Sequence, residues 1–118
     1  MAEEVANALV EAQRCLYCDN APCTQACPVS IDVPGFIKQL AVGNRKDACR
    51  ILYESNPMAS ICGLVCPADN LCQGACVLGQ ANHHPIEIGA LQYFATKQSQ
   101  YPTPKTEENK TCRIAMIG

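Results

Sequence analysis

The sequence predicts a small, mostly α-helical domain organised around cysteines and ending in a short apolar strand. Three observations lead there. Apolar residues recur at helical spacing in four separate segments. Ten of the 118 residues are cysteine, and eight of those ten fall in two short runs, 15–27 and 62–76, that no helix or strand period explains. Large side chains are scarce, with Phe36, Phe94 and four tyrosines as the aromatics and no tryptophan. A core so thin needs a second source of cohesion at this length.

Taken in order, Glu3 to Arg14 sets Val5, Ala8, Leu9 and Ala12 at helical spacing behind acidic residues that suit a helix N-terminus, so a helix delivers Cys15. The first cysteine run follows as loop. Asp32 is an N-cap candidate and Pro34 fits the first turn of a helix carrying Phe36, Ile37, Leu40 and Ala41, which Gly43 ends. Asn44 caps the next helix, with Ala48, Ile51 and Leu52 inward, and Asn56-Pro57 stops it. The second run is again read as loop. A last helix from about Glu87 carries Ile88, Leu91, Phe94 and Ala95 as its apolar stripe, with Gln92 at the stripe's edge.

The first run reads Cys15-Leu-Tyr-Cys18-Asp-Asn-Ala-Pro-Cys23-Thr-Gln-Ala-Cys27-Pro28. Thiols at rising intervals closed by Cys-Pro follow the grammar of an iron–sulfur site, in which three thiolates hold one cubane and the fourth reaches toward another. The middle gap of four residues departs from the ordinary bacterial ferredoxin pattern but keeps soft thiolates for iron and a turn-rich backbone whose N–H groups can face sulfur. The second run, Cys62-Gly-Leu-Val-Cys66-Pro67-Ala-Asp-Asn-Leu-Cys72-Gln-Gly-Ala-Cys76, repeats the Cys-Pro and the three-residue interval and reads as its partner.

Composition excludes other classes. A net charge of −2 and no basic run remove the electrostatic footprint of a nucleic-acid binder. No apolar run approaches the ~20 residues that span a bilayer. The start Met-Ala-Glu-Glu-Val-Ala-Asn has neither the basic nor the apolar part of a secretory signal. A reducing, cytoplasmic setting is therefore expected, where clustered cysteines mean metal more often than disulfides.

Residues 1–98 are accordingly read as the helical domain. The polar stretch 99–111, with Pro102 and Pro104, reads as a linker. Cys112-Arg-Ile-Ala-Met-Ile-Gly118 then reads as an apolar strand arriving at a glycine, which is how a dinucleotide-binding unit opens, with Gly118 at the start of its turn. This points to a longer flavoprotein of which 112–118 is the first strand of an FAD- or NAD(P)-binding domain.

The spacing C-x2-C-x4-C-x3-C-P, then C-x3-C-P-x4-L-C-x3-C, then P-I-x-I-G-x-L-Q-x-F-A-T resembles the N-terminal iron–sulfur domain of dihydropyrimidine dehydrogenases. More loosely it is similar to the small chain of bacterial glutamate synthase and to the large subunit of ferredoxin-linked NADH:NADP transhydrogenases. The resemblance implies a helical domain with two 4Fe-4S clusters that relay electrons, followed by FAD- and NAD(P)H-binding domains in the same chain and working with a catalytic flavin subunit or domain. Carried over by position, it implies Cys15, Cys18, Cys23 and Cys76 for one cluster, and Cys27, Cys66, Cys72 and the side-chain oxygen of Gln92 for the other. In the glutamate synthase relatives the Gln92 position looks like a glutamate, which tilts this chain toward the pyrimidine-reducing branch. Alone, the domain is expected to be an incomplete part of an oxidoreductase and to turn over no substrate.

Alternatives stand beside each assignment. Cys62 competes with Gln92, because an all-thiolate second site is chemically easier. The competing function is a zinc-stapled interaction module without redox chemistry; a self-standing ferredoxin-like carrier is a third reading. Cys49 and Cys112 are expected as buried apolar-face cysteines, and His83 and His84 as solvated loop residues.

Overall fold

A computed structural model describes residues 2–99 and 113–118. Among them are seven α-helices and one short 3-10 helix, with no strand. The four long helices expected from apolar spacing are present: α1 (Ala2–Gln13), α3 (Val33–Ala41), α4 (Arg45–Ser55) and α7 (Ile88–Thr96). Three further short helices have no counterpart in the sequence expectation: α2 (Pro22–Ala26) within the first cysteine run, α5 (Ala59–Val65) across the start of the second and α6 (Val77–Gln80) just after it.

The starts and stops follow local chemistry. The Asp32 carboxylate accepts from the Gly35 N–H at 3.0 Å, and Asn44 Oδ1 accepts from the Asp47 N–H at 3.3 Å, so both expected N-caps satisfy amides that their helices leave free. Gly43, at φ +77°, supplies the left-handed residue that turns α3 toward α4.

α3 packs on α4 and α1, while α7 packs on α5 and α4. Their shared interior holds Phe36, Ile37 and Leu40 of α3, Ala48 and Leu52 of α4, and Ile88, Leu91 and Ala95 of α7, with Ala12 of α1 closing one end. The α5–α7 contact is unusually close because Gly63 has no side chain: a Cβ there would come within 2.7 Å of the Tyr93 backbone nitrogen.

That contact corrects the reading of α7. Gln92, placed at the edge of the apolar stripe, is 7% exposed, whereas Phe94 is only half-buried. Once α5 lies against α7, the face bearing Gln92 becomes interior; the Phe94 ring instead takes the Arg45 guanidinium at 5.0 Å and the Lys97 ammonium at 5.6 Å. Cys49 is buried, as expected.

The strand expected over 112–118 does not form among residues 113–118, which carry no regular structure. Ile114, Met116, Ile117 and Gly118 are exposed, because a single strand has no neighbour here to take its backbone hydrogen bonds or cover its side chains. Cys112 and linker positions 100–111 lie outside the described residues. Among the described residues no helix is long and apolar enough to cross a membrane.

Candidate metal centre

The two Cys-Pro pairs end two helices in the same way. Proline disfavours the helical conformation in the residue before it, and both cysteines are extended, Cys27 at ψ 123° closing α2 and Cys66 at ψ 138° closing α5. Cys76, at ψ 130°, opens α6. Three thiols are thereby placed where a helix meets an extended turn and the chain changes direction.

Cys15, Cys18, Cys23 and Cys76 line one cavity with about 390 Å³ of empty space, part of it open to solvent. Its other walls are apolar, among them Leu16, Val33, Ile37, Val77, Ile86 and Ile88. The loop that brings in the first two thiols is bent by Tyr17 at φ 51° and Asn20 at φ 48°, left-handed positions that non-glycine residues rarely take. Gln25 Nε2 holds the Asn20 carbonyl at 2.7 Å, and Thr24 Oγ1 accepts from the Val33 N–H at 3.2 Å, tying this loop to α2 and α2 to α3.

Burial pushes the Cys15 thiol up, against the Tyr17 N–H that favours the thiolate; Cys18 and Cys76 push it further. Burial likewise pushes Cys23 up to about 11, against the Thr24 N–H, with Cys15 and Cys76 adding to the rise. All four residues of the first predicted set are thus electrostatic neighbours, although one of them lies some fifty residues along the chain. Without a cation the cavity favours protons on its sulfurs; with one, the same burial would strengthen binding of the thiolates.

The second set gathers Cys27, Cys66 and Cys72. Burial raises Cys72 against the Gln73 N–H, and Cys27 and Cys66 add to it. Cys66, exposed at the end of α5, is raised by desolvation of its sulfur and then by Cys62, with Cys27 adding. Gln73 anchors the loop: its Oε1 accepts from the Gly89 N–H at 3.0 Å and its Nε2 donates to Asp69 at 3.1 Å.

Both candidates for the eighth position stand on the α5–α7 contact. Gln92 Nε2 donates to the Ala59 carbonyl at 2.7 Å, so its amide presents the oxygen at its other end. Cys62 receives the Asn56 Nδ2–H at 3.2 Å and sits within hydrogen-bonding reach of the Cys66 thiol. Asn56 was read from the sequence only as a helix stop; its role as a buried donor to sulfur had no signal beyond the Asn-Pro pair. His83 and His84 are exposed, and the His84 carbonyl accepts from Arg14 at 2.5 Å. Gly118 lies in the exposed 113–118 segment with nothing within 4 Å of where its Cβ would be.

Two sets of soft thiolates, each with backbone N–H groups aimed at sulfur, fit iron–sulfur clusters. Among the described residues no three His, Cys, Asp or Glu side chains converge closely enough to hold a single metal ion. A lone tetrahedral zinc would draw thiolates to about 3.8 Å of one another, as ~2.3 Å bonds require. The four thiols of the first set line a space instead of closing on one point, as a group with four separate metal corners asks.

The family described as dihydropyrimidine dehydrogenase domain II, 4Fe-4S cluster, matches residues 1–103. The chain is 42% identical over 114 residues to the NAD-dependent dihydropyrimidine dehydrogenase subunit PreT of Escherichia coli, covering 94% of this chain and 27% of that protein. It is 41% identical, over the same shares, to the PreT subunit of Salmonella typhimurium. The chain therefore spans about a quarter of the length of the curated relatives it matches. With thiols gathered around a cavity on a helical frame, it belongs to the dihydropyrimidine dehydrogenase family as its 4Fe-4S electron-transfer domain.

Proposed function

We propose that this domain holds two 4Fe-4S clusters and relays electrons between a flavin fed by NAD(P)H and a partner redox site in a dihydropyrimidine dehydrogenase-type oxidoreductase. The observation that carries this is the crossing of the two cysteine runs. Cys76 of the second run completes the cavity of Cys15, Cys18 and Cys23, and Cys27 of the first run sits with Cys66 and Cys72. Two clusters so interlocked are held on one rigid frame, which fixes the distance an electron must travel.

Bound clusters supply reversible one-electron steps; the chain's own residues hold them and set their potentials. Cys15, Cys18, Cys23 and Cys76 are the ligands of the first, in apolar surroundings that restrict water. Cys27, Cys66 and Cys72 are ligands of the second, with Gln92 Oε1 in the eighth position. A neutral oxygen in place of a thiolate leaves that site one negative charge short, favouring the reduced form. The glutamine at this position supports the pyrimidine-reducing branch over the glutamate synthase type.

The PreT relatives are described as subunits of an NAD-dependent dehydrogenase, so the parent is read as carrying FAD and a pyridine nucleotide in further domains of the same chain and working with a catalytic flavin subunit in the cytoplasm. In that layout 1–98 is the cluster domain, 99–111 the linker and 112–118 the opening of a dinucleotide-binding domain. Anaerobically purified protein should contain about eight irons and eight acid-labile sulfides and absorb broadly near ~400 nm. Stoichiometric zinc without sulfide would overturn the reading and leave the zinc-stapled interaction module.

A further inference from the structure

Around the first turn of α5 two buried amides are locked in complementary ways. Asn56, 6% exposed, is held at four points. Its backbone N–H donates to the Leu52 carbonyl at 3.1 Å and its carbonyl accepts from the Ala59 N–H at 3.1 Å. Its side-chain oxygen accepts from the Met58 N–H at 2.9 Å. Because that oxygen faces a donor, the amide cannot be flipped, and Nδ2 must be the atom facing Cys62 Sγ at 3.2 Å. Gln92, across the α5–α7 contact, is fixed by the Ala59 carbonyl in the same manner.

Cys62 and Cys66 are stacked one helical turn apart: the Cys66 N–H donates to the Cys62 carbonyl at 3.1 Å, at the end of α5. When Cys66 binds iron it is a thiolate and can only accept. The one side-chain proton between these two sulfurs then belongs to Cys62. Asn56 already occupies a lone pair of the Cys62 sulfur as a donor, which leaves the S–H as the part of that thiol able to turn toward Cys66.

We infer that Cys62 is a hydrogen-bond donor to the Cys66 sulfur, aimed by Asn56, and that the relay Asn56 N–H to Cys62 S–H to Cys66 raises the reduction potential of the second cluster. This rests on the two-cluster reading above, with Cys66 as a ligand and Cys62 not. The sign follows from charge. Reduction adds one electron to the cluster and its thiolates, and a donor aimed at a thiolate stabilises the more negative state, so its removal disfavours reduction. Cys62 and Asn56 are positioning residues in this scheme; neither touches iron.

The test uses the whole anaerobically purified chain. Iron and sulfide content is measured first, because a sulfide-free zinc protein would sink the two-cluster reading itself and not this relay. Electron paramagnetic resonance then follows a potentiometric titration of both clusters in the wild type, Cys62→Ala, Cys62→Ser and Asn56→Ala. In Cys62→Ala, iron should stay at the wild-type level and the second cluster's potential should fall. One exchangeable proton coupling, seen by electron–nuclear double resonance in H2O against D2O, should vanish. The first cluster should not move. Asn56→Ala should shift the same potential in the same direction by less, and Cys62→Ser should restore the exchangeable coupling. If Cys62→Ala folds poorly, the near-isosteric Cys62→Val carries the same expectation. Retained iron with unchanged potential and unchanged coupling would overturn the relay. So would loss of about half the iron, since that would make Cys62 a ligand.

Discussion

The two thiol sets differ in how they are built, since both Cys-Pro cysteines, Cys27 and Cys66, belong to the second, and in what surrounds them. The first is enclosed by core side chains: Ile37 and Ile88, both buried, wall its cavity. The second ends at Cys66, which is exposed, beside an α5 surface on which Met58, Ile61, Leu64 and Val65 are also exposed. Its support is polar, from Gln73, Asn56 and Gln92. Both sites thus touch the hydrophobic core, the second through Cys27 and Cys72, but the second reaches the surface at Cys66, where its support is polar. Apolar enclosure restricts solvent, while hydrogen bonds to sulfur adjust potential and leave the sulfur approachable.

The largest expected effect breaks the first site. Cys23→Ser should cost roughly four of about eight irons and also loosen the core, because the emptied cavity is walled by Ile37 and Ile88. Differential scanning calorimetry should show a midpoint lowered by more than about 10 °C, which at ~4–8 °C per kcal/mol corresponds to a couple of kcal/mol. Cys72→Ser should lose a similar share of iron with a clearly smaller drop. Equal drops would mean that the core does not distinguish the two sites.

Next comes lability. Cys66 is exposed whereas Cys15 and Cys23 are half-buried, so a chelator or oxidant in solution should reach the second site first. Timed loss of iron, followed by electron paramagnetic resonance, should show the second signal decaying before the first. Reversal of that order would contradict the difference in enclosure.

Much of this architecture is legible in the sequence, for reasons that differ by residue. Asp32 and Asn44 announce their helices because capping is a local contact, settled within three residues. The pairing of Cys76 with the first run comes only from the resemblance to a known family, since nothing local in the sequence links it to Cys15. The short helices α2, α5 and α6 leave no periodic trace, being four to seven residues long. The burial of Gln92 was missed because it depends on where α5 docks, and that depends on Gly63 lacking a side chain. The apolar run Ile114–Ile117 looks like a strand in composition, yet a strand is a property of a sheet.

Gln92 gives a smaller and more selective test of the comparison. Gln92→Cys should add a thiolate at the second site, lower that cluster's potential and leave the first unchanged. Gln92→Ala should remove both the oxygen and the amide that holds the Ala59 carbonyl, making the second site labile at one iron. Potentiometry and iron analysis of the two variants check this. A second cluster unaffected by either would remove Gln92 from the eighth position.

The smallest effect is a pH dependence confined to the iron-free protein. Burial raises the thiols of Cys15, Cys23 and Cys72 in the folded chain, Cys23 to about 11. In the unfolded chain each titrates near ~8.5. Between that value and the raised one, the folded state binds more protons than the unfolded state, so stability must fall as pH rises through the window. The contribution is complete below about 8.5 and is lost by about 11 for Cys23. Urea unfolding of apo-protein across this range should show the decline, and Cys23→Ala should flatten part of it. Cluster-loaded protein should lack it, because iron has taken the place of the protons. Cys23, pushed up to about 11, should dominate the slope, with Cys15, Cys72 and Cys66, which are raised too, contributing less. A slope that survived Cys23→Ala and Cys15→Ala together but vanished in Cys66→Ala would invert the contrast between the enclosed and the exposed site.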